Sequence, residues 1–328
     1  MEAGRVENPL MELSFERIAV VGATGATGQS LVEHLLERGA RVRVVSRRLD
    51  ALARLFPDPR VEKRGGDALD RQALRSAVDG CDLLVDCVGL PADAMADHPR
   101  VARTLADVAR QTGARCLQIS SYWSYIPITR LPLTESHPRS GGPPWIRYRR
   151  EAENTLRDAG AAIVQLPDFF GPRVSFSTLQ GPLKDAVAGR PMNWIGAADC
   201  LRDYIFVPDA MGIVGELLGR RAAYGERWLI PGSGPISARE VAGIVSEILG
   251  RTVRIRAAGP LMLRLVSLFN RELRGFMQLV PTYVQPIRYD GARLDALLGP
   301  TQRTAYPAAI RATLGALQPP GAGQTPAA

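Results

Sequence analysis

The sequence predicts an α/β protein in which a doubly wound parallel sheet is followed by a smaller, mostly helical domain. The first observation is the alternation of apolar strand-like runs with amphipathic helical segments between residues 16 and 171, which is typical of a parallel sheet covered by helices on both faces. The second is the turn VGATGATGQS, which joins the first apolar run directly to the first helical segment. The third is length, because 328 residues exceed the size at which single cores usually stop growing.

Apolar runs bounded by glycine, proline or polar turns predict six strands. In chain order they are RIAVVGA, RVRVVSR, VEKRGGD, CDLLVDCVG, RCLQISS and AAIVQLPDFFGP. Helical periodicity predicts helices at TGQSLVEHLLERG, DRQALRSAVDG, VARTLADVARQTG and YRREAENTLRDAG. Residues 172–317 contain further helical segments with short extended pieces, and predict a cap from which strands can return to the main sheet. Residues 1–15 and 318–328 have no periodicity and are predicted to be a disordered leader and tail.

Composition excludes several classes of function. The net charge is +8, but the basic residues, all arginine except Lys63 and Lys184, are scattered along the chain, so we expect no nucleic-acid partner. No apolar run approaches the ~18 residues of a membrane span, so we expect no membrane partner and a cytoplasmic location. The four cysteines lack metal or redox spacing and are expected to be reduced. A homodimer is compatible with the sequence, which has no pattern that fixes the oligomeric state.

The three glycines of the turn, Gly22, Gly25 and Gly28, each meet a different steric requirement. The first permits a sharp turn out of the strand, the second lets the backbone approach a pyrophosphate, and the third lets the helix pack closely on the sheet. The helix N-terminus then directs unpaired N–H groups at the phosphates. An ordinary tight turn is the alternative, but the flanking strands and amphipathic helix favour a dinucleotide cradle.

The second predicted strand ends in VVSRR and has no acidic residue there. A carboxylate at this point typically accepts the ribose 2′-hydroxyl of NAD, whereas arginine can bind the 2′-phosphate of NADP. Arg47, flanked by Ser46 and Arg48, therefore favours NADP(H) over NAD(H). A surface arginine pair without a ligand would have the same sequence.

Later motifs follow the glycine turn in a fixed order: GGDALD, SSYWSY, LPDFFGP and LRDYIFVPDA. Together they resemble the extended (atypical) short-chain dehydrogenase/reductase family, the NAD(P)-dependent epimerases and dehydratases. The resemblance runs from about Arg17 to Leu317. It implies a Rossmann-type NAD(P)-binding domain over residues 16–171, a substrate-binding cap over residues 172–317, and an NAD(P)-dependent oxidoreductase or epimerase reaction.

The resemblance also implies a cofactor bed in the glycine turn and at the ends of the following strands. Asp67 would contact adenine, and the backbone at Val88 and Gly89 would lie over the cofactor. With Arg47, the predicted cofactor residues are Gly22, Thr24, Gly25, Ala26, Thr27, Gly28, Asp67, Ala68, Val88 and Gly89.

The catalytic pair of the family, Tyr-x-x-x-Lys, is absent. Its i, i+4 spacing places the phenol and the ammonium on one helix face, but neither lysine of this chain has a tyrosine four residues before it. Aligning EAENTLRDAG with the family's helix places Arg149 at the lysine position and Trp145 at the tyrosine position. Arginine can bind ribose hydroxyls but cannot exchange protons as lysine does.

The remaining catalytic assignments follow from the resemblance. Ser121 would polarise the reacting oxygen, Arg149 would fix the ribose, and Tyr148 would be the acid through a locally shifted helix. Tyr125 or the substrate itself could be the acid instead, or the site could bind cofactor without turnover. These alternatives stay open at the level of sequence.

Substrate contacts are implied after the sixth strand, at Asp168, Phe169 and Gly171, with Tyr125 nearby. Arg202 matches an arginine that grips the diphosphate in nucleotide-sugar members; a salt bridge with a neighbouring aspartate is the structural alternative. Gln165 stands where many relatives have arginine.

The three histidines, His34, His98 and His137, lack metal-like spacing, so we predict no metal site. We expect His34 to face solvent on its helix.

Two functions are therefore compatible with the sequence. The first is an NADP(H)-dependent oxidoreductase or epimerase acting on a small polyol, sugar-derived or carbonyl substrate. The second is a catalytically impaired NADP(H)-binding sensor or assembly factor.

Overall fold

The computed structural model describes residues 13–269 and 271–318. Most of the predicted leader and tail lies outside these residues. Within the described part, Leu13 N–H donates to the carbonyl of Gly219 and Phe15 packs against the core, which fixes the entry of the chain.

Strands and helices alternate through the first half of the chain, as predicted. The strands of the described residues are β1 Arg17–Val21, β2 Arg41–Ser46, β3 Val61–Gly65, β4 Leu83–Asp86, β5 Arg115–Ser121, β6 Ala162–Leu166, β7 Asp168–Phe170, β8 Met192–Ile195, β9 Arg202–Phe206, β10 Arg227–Leu229, β11 Pro235–Ile236 and β12 Ile255–Ala258. The α-helices are α1 Ala26–Glu37, α2 Leu49–Leu55, α3 Arg71–Ala77, α4 His98–Thr112, α5 Pro144–Asp158, α6 Gln180–Val187, α7 Val207–Leu218, α8 Ala238–Leu249, α9 Pro260–Ser267, α10 Arg271–Phe276, α11 Val280–Tyr283, α12 Ala292–Leu298 and α13 Tyr306–Leu317.

Seven strands form the central sheet in the order β10-β6-β5-β4-β1-β2-β3, and neighbouring strands are parallel throughout. Side chains alternate between its two faces. Ile18 and Val20 of β1 join the apolar layer under α1 and α7, whereas Ala19 and Val21 join the layer under α3, α4 and α5. The predicted doubly wound Rossmann-type fold is confirmed.

The chain beyond residue 171 contributes to both parts of the molecule. β10 extends the central sheet beside β6, and α7 packs against α1. The remainder builds a smaller unit from two short sheets, β11-β9-β7 and β12-β8, and a separate apolar cluster that includes Trp194, Tyr204 and Tyr306. Within the described residues, no helix is both long and apolar enough to cross a bilayer.

Three local features differ from the sequence prediction. The predicted sixth strand is interrupted at Pro167, which has no N–H to donate, so β6 stays in the central sheet while β7 pairs with β9. The segment DYIFVPDAMGIVGELLG begins as strand β9, and Pro208 in the first turn marks the change to α7. α2 was not predicted, because seven residues carry too short a periodic pattern.

The expectation that His34 faces solvent is wrong because α7 packs on that side of α1. A Cβ on Gly215 would lie only 2.5 Å from the imidazole ring, so the glycine makes room for it. His34 Nε2 is buried without a partner among the described residues. Burial, with Arg38 nearby, lowers the pKa of His34 to about 4.

Candidate cofactor and active site

A cleft of about 400 Å³ opens at the carboxyl ends of β1, β2 and β4, the edge at which open α/β sheets bind ligands. Its walls include ten of the eleven residues predicted for the cofactor, all except Gly28. These residues come from four separate segments of the chain. The topology alone brings them together.

The backbone of the glycine turn is packed too closely for side chains at two positions. Gly22 has a φ of +79°, and a Cβ there would lie 2.9 Å from the carbonyl of Cys87. A Cβ on Gly28 would lie 2.6 Å from Ala23 Cα, so this glycine seats α1 against the turn without facing the cleft. At Gly25 the nearest atom would be 3.7 Å away, which leaves the N-terminus of α1 open to a ligand.

The charged residues of the cleft are Arg47 and Asp67. They lie at the end of the cleft where the sequence predicts the adenosine half of the cofactor. Arg47 is exposed directly after β2, and no ion pair ties its guanidinium to any residue that the structure describes. Asp67 Oδ1 accepts a hydrogen bond of 2.9 Å from Leu69 N–H, which shapes its own turn. The rim of the cleft therefore has one exposed cation, Arg47, without an ion-pair partner among the described residues.

The opposite wall was missed by the sequence analysis. Phe169, Val174, Ser175 and Phe176 line the cleft from the segment that follows β6. Phe169 was assigned to substrate, but residues 174–176 lie in an irregular loop that has no periodicity to mark it.

None of the three predicted catalytic residues, Ser121, Tyr148 and Arg149, lines this cleft. Ser121 Oγ accepts a hydrogen bond of 3.3 Å from Trp123 N–H and caps the short 3₁₀ turn Tyr122–Tyr125. Tyr148 is half-buried on α5, and its hydroxyl bonds to no residue in the described ranges. Trp145, one turn earlier, packs against Gly275 of α10.

Arg149 points into the protein. Its Nη1 donates to Ser120 Oγ at 3.2 Å, and its Nη2 lies 3.5 Å from His98 Nε2. Burial, reinforced by the arginine, lowers the pKa of His98 to about 3, so the imidazole is neutral and its Nε2 can accept a hydrogen bond from the guanidinium. The guanidinium also lies 5.7 Å from the Trp123 ring centroid.

Glu153, one turn after Arg149, is fully buried in a polar network. It accepts hydrogen bonds from Ser120 Oγ at 2.5 Å, from Gln165 Nε2 at 2.8 Å and from Arg139. Gln165 Oε1 in turn accepts from the Tyr125 hydroxyl at 2.6 Å. Gln165, which stands where many relatives have arginine, thus joins β6 to the network. Tyr125 is a buried hydrogen-bond donor, and burial raises the pKa of its hydroxyl.

We expect Glu153→Gln to lower the free energy of unfolding by about 2 kcal/mol, because it leaves Arg139 without its buried counter-charge. Denaturant unfolding followed by circular dichroism measures this. The matched control is Glu151→Gln on the same helix, where an exposed carboxylate pairs with exposed Arg103 at 3.0 Å and should contribute less than about 0.5 kcal/mol. Equal effects of the two variants would contradict a structural role for the buried network.

Asp86, at the end of β4, is a buried carboxylate beside the same network. Its oxygens accept from Val88 N–H and from Gln118 Nε2, each at 3.0 Å. Burial raises the pKa of Asp86 to about 6, although both hydrogen bonds and the Arg149 charge oppose the shift. The folded state therefore binds the proton more tightly than the unfolded state, and ionised Asp86 costs stability above about pH 6.

We expect Asp86→Asn to raise the free energy of unfolding near pH 8 by up to about 3 kcal/mol, and to have little effect near pH 4, where the aspartic acid is protonated in the fold. Gln118 Oε1 is buried without a partner in the described structure, so it can accept a hydrogen bond from the new amide at position 86 once the side-chain amide of Gln118 has flipped. Urea unfolding at both pH values tests this against the exposed control Asp79→Asn. A loss of stability at pH 8 would mean that attraction to Arg149 outweighs burial.

Asp168 and Arg202 form a second buried polar network, separate from the network around Glu153. Arg202 Nη2 lies 3.3 Å from Asp168 Oδ2, and Asp168 Oδ1 accepts from the Tyr283 hydroxyl at 2.7 Å. Arg202 Nη1 donates to the carbonyls of Thr282 and Gln285 at 2.8 and 2.9 Å, and its side chain is only 2% exposed. Arg202 therefore pairs with Asp168 rather than with the neighbouring aspartates considered from the sequence.

The other predicted substrate residues are divided among different parts of the site: Phe169 lines the cleft, Tyr125 joins the network around Glu153, and Gly171 packs against Phe206. Gly171 follows β7 with a φ of +146° and a Cβ position only 3.2 Å from Phe206. Tyr122 donates to Asp168 at 3.3 Å and accepts from Arg202 at 2.9 Å. The sequence analysis missed Tyr122 and Tyr283, because the first stood between two better-known motif positions and the second in a stretch without a periodic pattern. Among the residues described, no group of three or more His, Cys, Asp or Glu side chains could hold a metal ion.

Parts of the chain are similar to known proteins. A family model described as NAD(P)H-binding matches residues 22–164. A ceramide reductase of Caulobacter vibrioides is 32% identical over 162 residues, 47% of each chain, so the match spans about half of that relative. The sterol demethylase protein B of Methylococcus capsulatus is 26% identical over 80% of this chain and 84% of its own.

The fold also matches solved structures. A UDP-glucuronic acid 4-epimerase of Bacillus cereus, solved with UDP-glucuronic acid and NAD, superposes with a TM-score of 0.76 at 15% identity and covers 92% of this chain and 98% of its own. At that identity, the likeness establishes the fold. Residues 22–164 are thus similar to the NAD(P)H-binding family, and the chain has the same fold as the UDP-glucuronic acid 4-epimerase.

Proposed function

We propose that the protein is an NAD(P)(H)-dependent oxidoreductase that reduces a carbonyl, or oxidises the matching alcohol, on a largely apolar substrate. The observation that carries the proposal is the cleft at the carboxyl edge of the sheet, where ten residues predicted for one dinucleotide line one cavity. Gly25 and the N-terminus of α1 are suited to the pyrophosphate, and Asp67 with Ala68 to the adenine.

A bound nicotinamide would supply or accept the hydride. The chain's own groups suited to the reacting oxygen are Ser121 at the end of β5 and Tyr148 on α5, and both would have to turn towards the cleft. Arg149 is already engaged by Ser120 and His98. We therefore propose that Arg149 fixes the position of α5 and keeps a positive charge near the site, while Tyr148 is the candidate proton donor.

An apolar substrate is supported by three findings. Both Nη atoms of Arg202 are engaged by Asp168, Tyr122 and two carbonyls, and its Nε is buried, so the arginine expected to grip a sugar-nucleotide diphosphate is not free to do so. Apolar side chains, including Trp123, Trp145 and Met277, pack against the buried apolar cluster that contains Phe276 and Tyr283. The names of both curated relatives refer to lipids, a ceramide and a sterol.

We propose NADP(H) as the preferred cofactor because Arg47 is unpaired at the ribose end of the cleft. We expect Arg47→Ala to weaken NADPH binding about 10- to 100-fold and to leave NADH binding within about twofold, since only NADPH has the 2′-phosphate. Isothermal titration measures both dissociation constants. Arg48→Ala, a neighbouring exposed arginine outside the cleft, is the control. Equal losses for the two cofactors would contradict the assignment of Arg47 to the 2′-phosphate.

A second function, a dinucleotide-binding sensor or assembly factor, is favoured by one observation. Arg149, the residue at the lysine position, is hydrogen-bonded to Ser120 inside the protein, and the sequence contains no Tyr-x-x-x-Lys pair elsewhere that could take over its role. Such a protein would bind NADPH and turn nothing over.

One experiment separates the two functions. The protein is titrated with NADPH and NADH, and NADPH oxidation is then followed by absorbance with a 3-keto-steroid, a long-chain ketone, a short-chain ketone and a nucleotide-linked 4-keto-sugar. Turnover of the steroid or the long-chain ketone supports the proposal. Tight NADPH binding without turnover of any compound supports the sensor, and absence of binding to either cofactor excludes both.

A further inference from the structure

Exposed apolar side chains are concentrated on α9 and the turn that follows it. Five of the nine large apolar residues that are exposed in the described structure lie between residues 261 and 269. Their exposed fractions are 74% for Leu261, 42% for Met262, 59% for Leu265, 62% for Leu268 and 92% for Phe269. Single exposed apolar residues are ordinary, but a contiguous group marks an interaction surface.

The five side chains form one stripe. At 100° per residue, Leu261, Met262 and Leu265 fall within an arc of about 100° on α9, and Leu268 and Phe269 extend the exposed apolar surface into the turn that follows the helix. Leu263 and Ser267, on the other side, are buried, and Leu263 packs with Phe276 and Leu279. The helix is thus fixed to the protein by one side and presents the apolar stripe on the other.

Positive charge is concentrated in the same stretch of the sequence as the stripe. Residues 251–274 contain six arginines and a single acidic residue, Glu272, although arginine is scattered elsewhere in the chain. Arg254, Arg256 and Arg264 are exposed and make no ion pair within the described residues. Arg274 donates to the carbonyls of Ser267 and Leu268 and so closes the C-terminal end of α9.

We propose that α9 and residues 268–269 dock the protein on the surface of an anionic lipid bilayer. The stripe would insert at the level of the headgroups while the flanking arginines contact lipid phosphates, as in interfacial amphipathic helices. A second copy of the chain fits less well, because pairing the stripes would bring two sets of unpaired arginines together. The expectation that the protein has no membrane partner was based only on the absence of a membrane-spanning segment, and an interfacial helix needs no such segment.

The docked face would lie beside the site. α10, which follows α9, packs against the 3₁₀ turn Ala92–Asp97, and that turn follows directly on Gly89 and Leu90 of the cleft. The inference concerns binding and stands apart from the proposed reaction, so turnover is not its readout.

The test is co-sedimentation of the full-length protein with vesicles of phosphatidylcholine alone, or of phosphatidylcholine mixed with phosphatidylglycerol. We expect binding to the anionic vesicles only, weakened by salt. Leu265→Ser with Phe269→Ser should lower the partition coefficient about tenfold or more, and Arg254→Gln with Arg264→Gln by about tenfold.

Matched controls separate the surface from general effects of composition. Leu49→Ser with Leu131→Ser removes two exposed leucines elsewhere, and Arg38→Gln with Arg75→Gln removes two exposed arginines elsewhere; both should bind as the unaltered protein does. No binding to anionic vesicles, or equal loss in the controls, overturns the proposal. Sedimentation equilibrium adds one more outcome, because a dimer that Leu265→Ser with Phe269→Ser dissociates, without vesicle binding, would assign the stripe to a second copy.

Discussion

Replacing Arg202 with methionine is expected to lower the free energy of unfolding by about 3–5 kcal/mol. Methionine keeps much of the apolar volume, but it removes the counter-charge of buried Asp168 and the donor to the carbonyls of Thr282 and Gln285. The carboxylate keeps its two tyrosine donors, which limits the loss. Urea unfolding near pH 7 measures the effect.

The controls separate a buried pair from a surface pair. Arg190→Met removes an ion pair with Asp185 in which the arginine is 63% exposed, and should cost less than about 1 kcal/mol. Arg202→Met with Asp168→Asn should recover part of the loss, because no buried charge is then left alone. If Arg202 instead grips a diphosphate, Arg202→Met would leave stability unchanged and raise the KM of a nucleotide-sugar substrate.

The central sheet could be predicted because its strands carry their signal locally. A run such as RIAVVGA is apolar on both faces, and it coincides with β1. Parallel strands in the interior of a sheet are covered on both sides, so their sequences differ sharply from the amphipathic helices between them. Ten of the residues predicted for the cofactor line one cleft for a related reason, because they follow the ends of those strands.

The catalytic side could not be predicted in the same way, because its side chains are directed by contacts distant in sequence. Arg149 occupies the lysine position, yet whether it faces a ribose or Ser120 depends on His98, whose ring comes from α4. Arg202 was weighed against its neighbours in the chain, but its partner Asp168 lies across the strand pair β7 and β9. Pairings of this kind are set by topology, which a local motif does not encode.

His34 illustrates the same limit in the helices. Its position on α1 fits a solvent-facing residue as long as only the nearest elements are considered. α7 arrives from more than 170 residues later in the chain and covers it, with Gly215 at the point of contact. A glycine in the middle of a predicted helix was the available signal, since such a glycine often marks close packing.

Gly28→Ala is the second substitution with a large expected effect, on stability and cofactor binding together. A Cβ at this position would lie 2.6 Å from Ala23 Cα and 2.9 Å from the Ala23 carbonyl, and neither backbone atom can rotate away. α1 must shift from the glycine turn, so we expect a loss of about 3 kcal/mol of unfolding free energy. The same shift moves the N–H groups at the start of α1, so NADPH affinity should fall at least about tenfold.

The matched control for Gly28→Ala is Gly243→Ala in α8, where a Cβ would meet no atom within 4 Å. There the same chemical change should raise the unfolding free energy by about 1 kcal/mol, because alanine favours the helix. The opposite signs isolate the contact with Ala23 from helix propensity. Thermal unfolding and NADPH titration of the two variants give both readouts, and a Gly28→Ala protein as stable as the Gly243→Ala protein would show that α1 is not held by this contact. If stability falls while NADPH affinity is kept, the glycine serves packing alone and the phosphate-binding role rests on Gly25 and its neighbours.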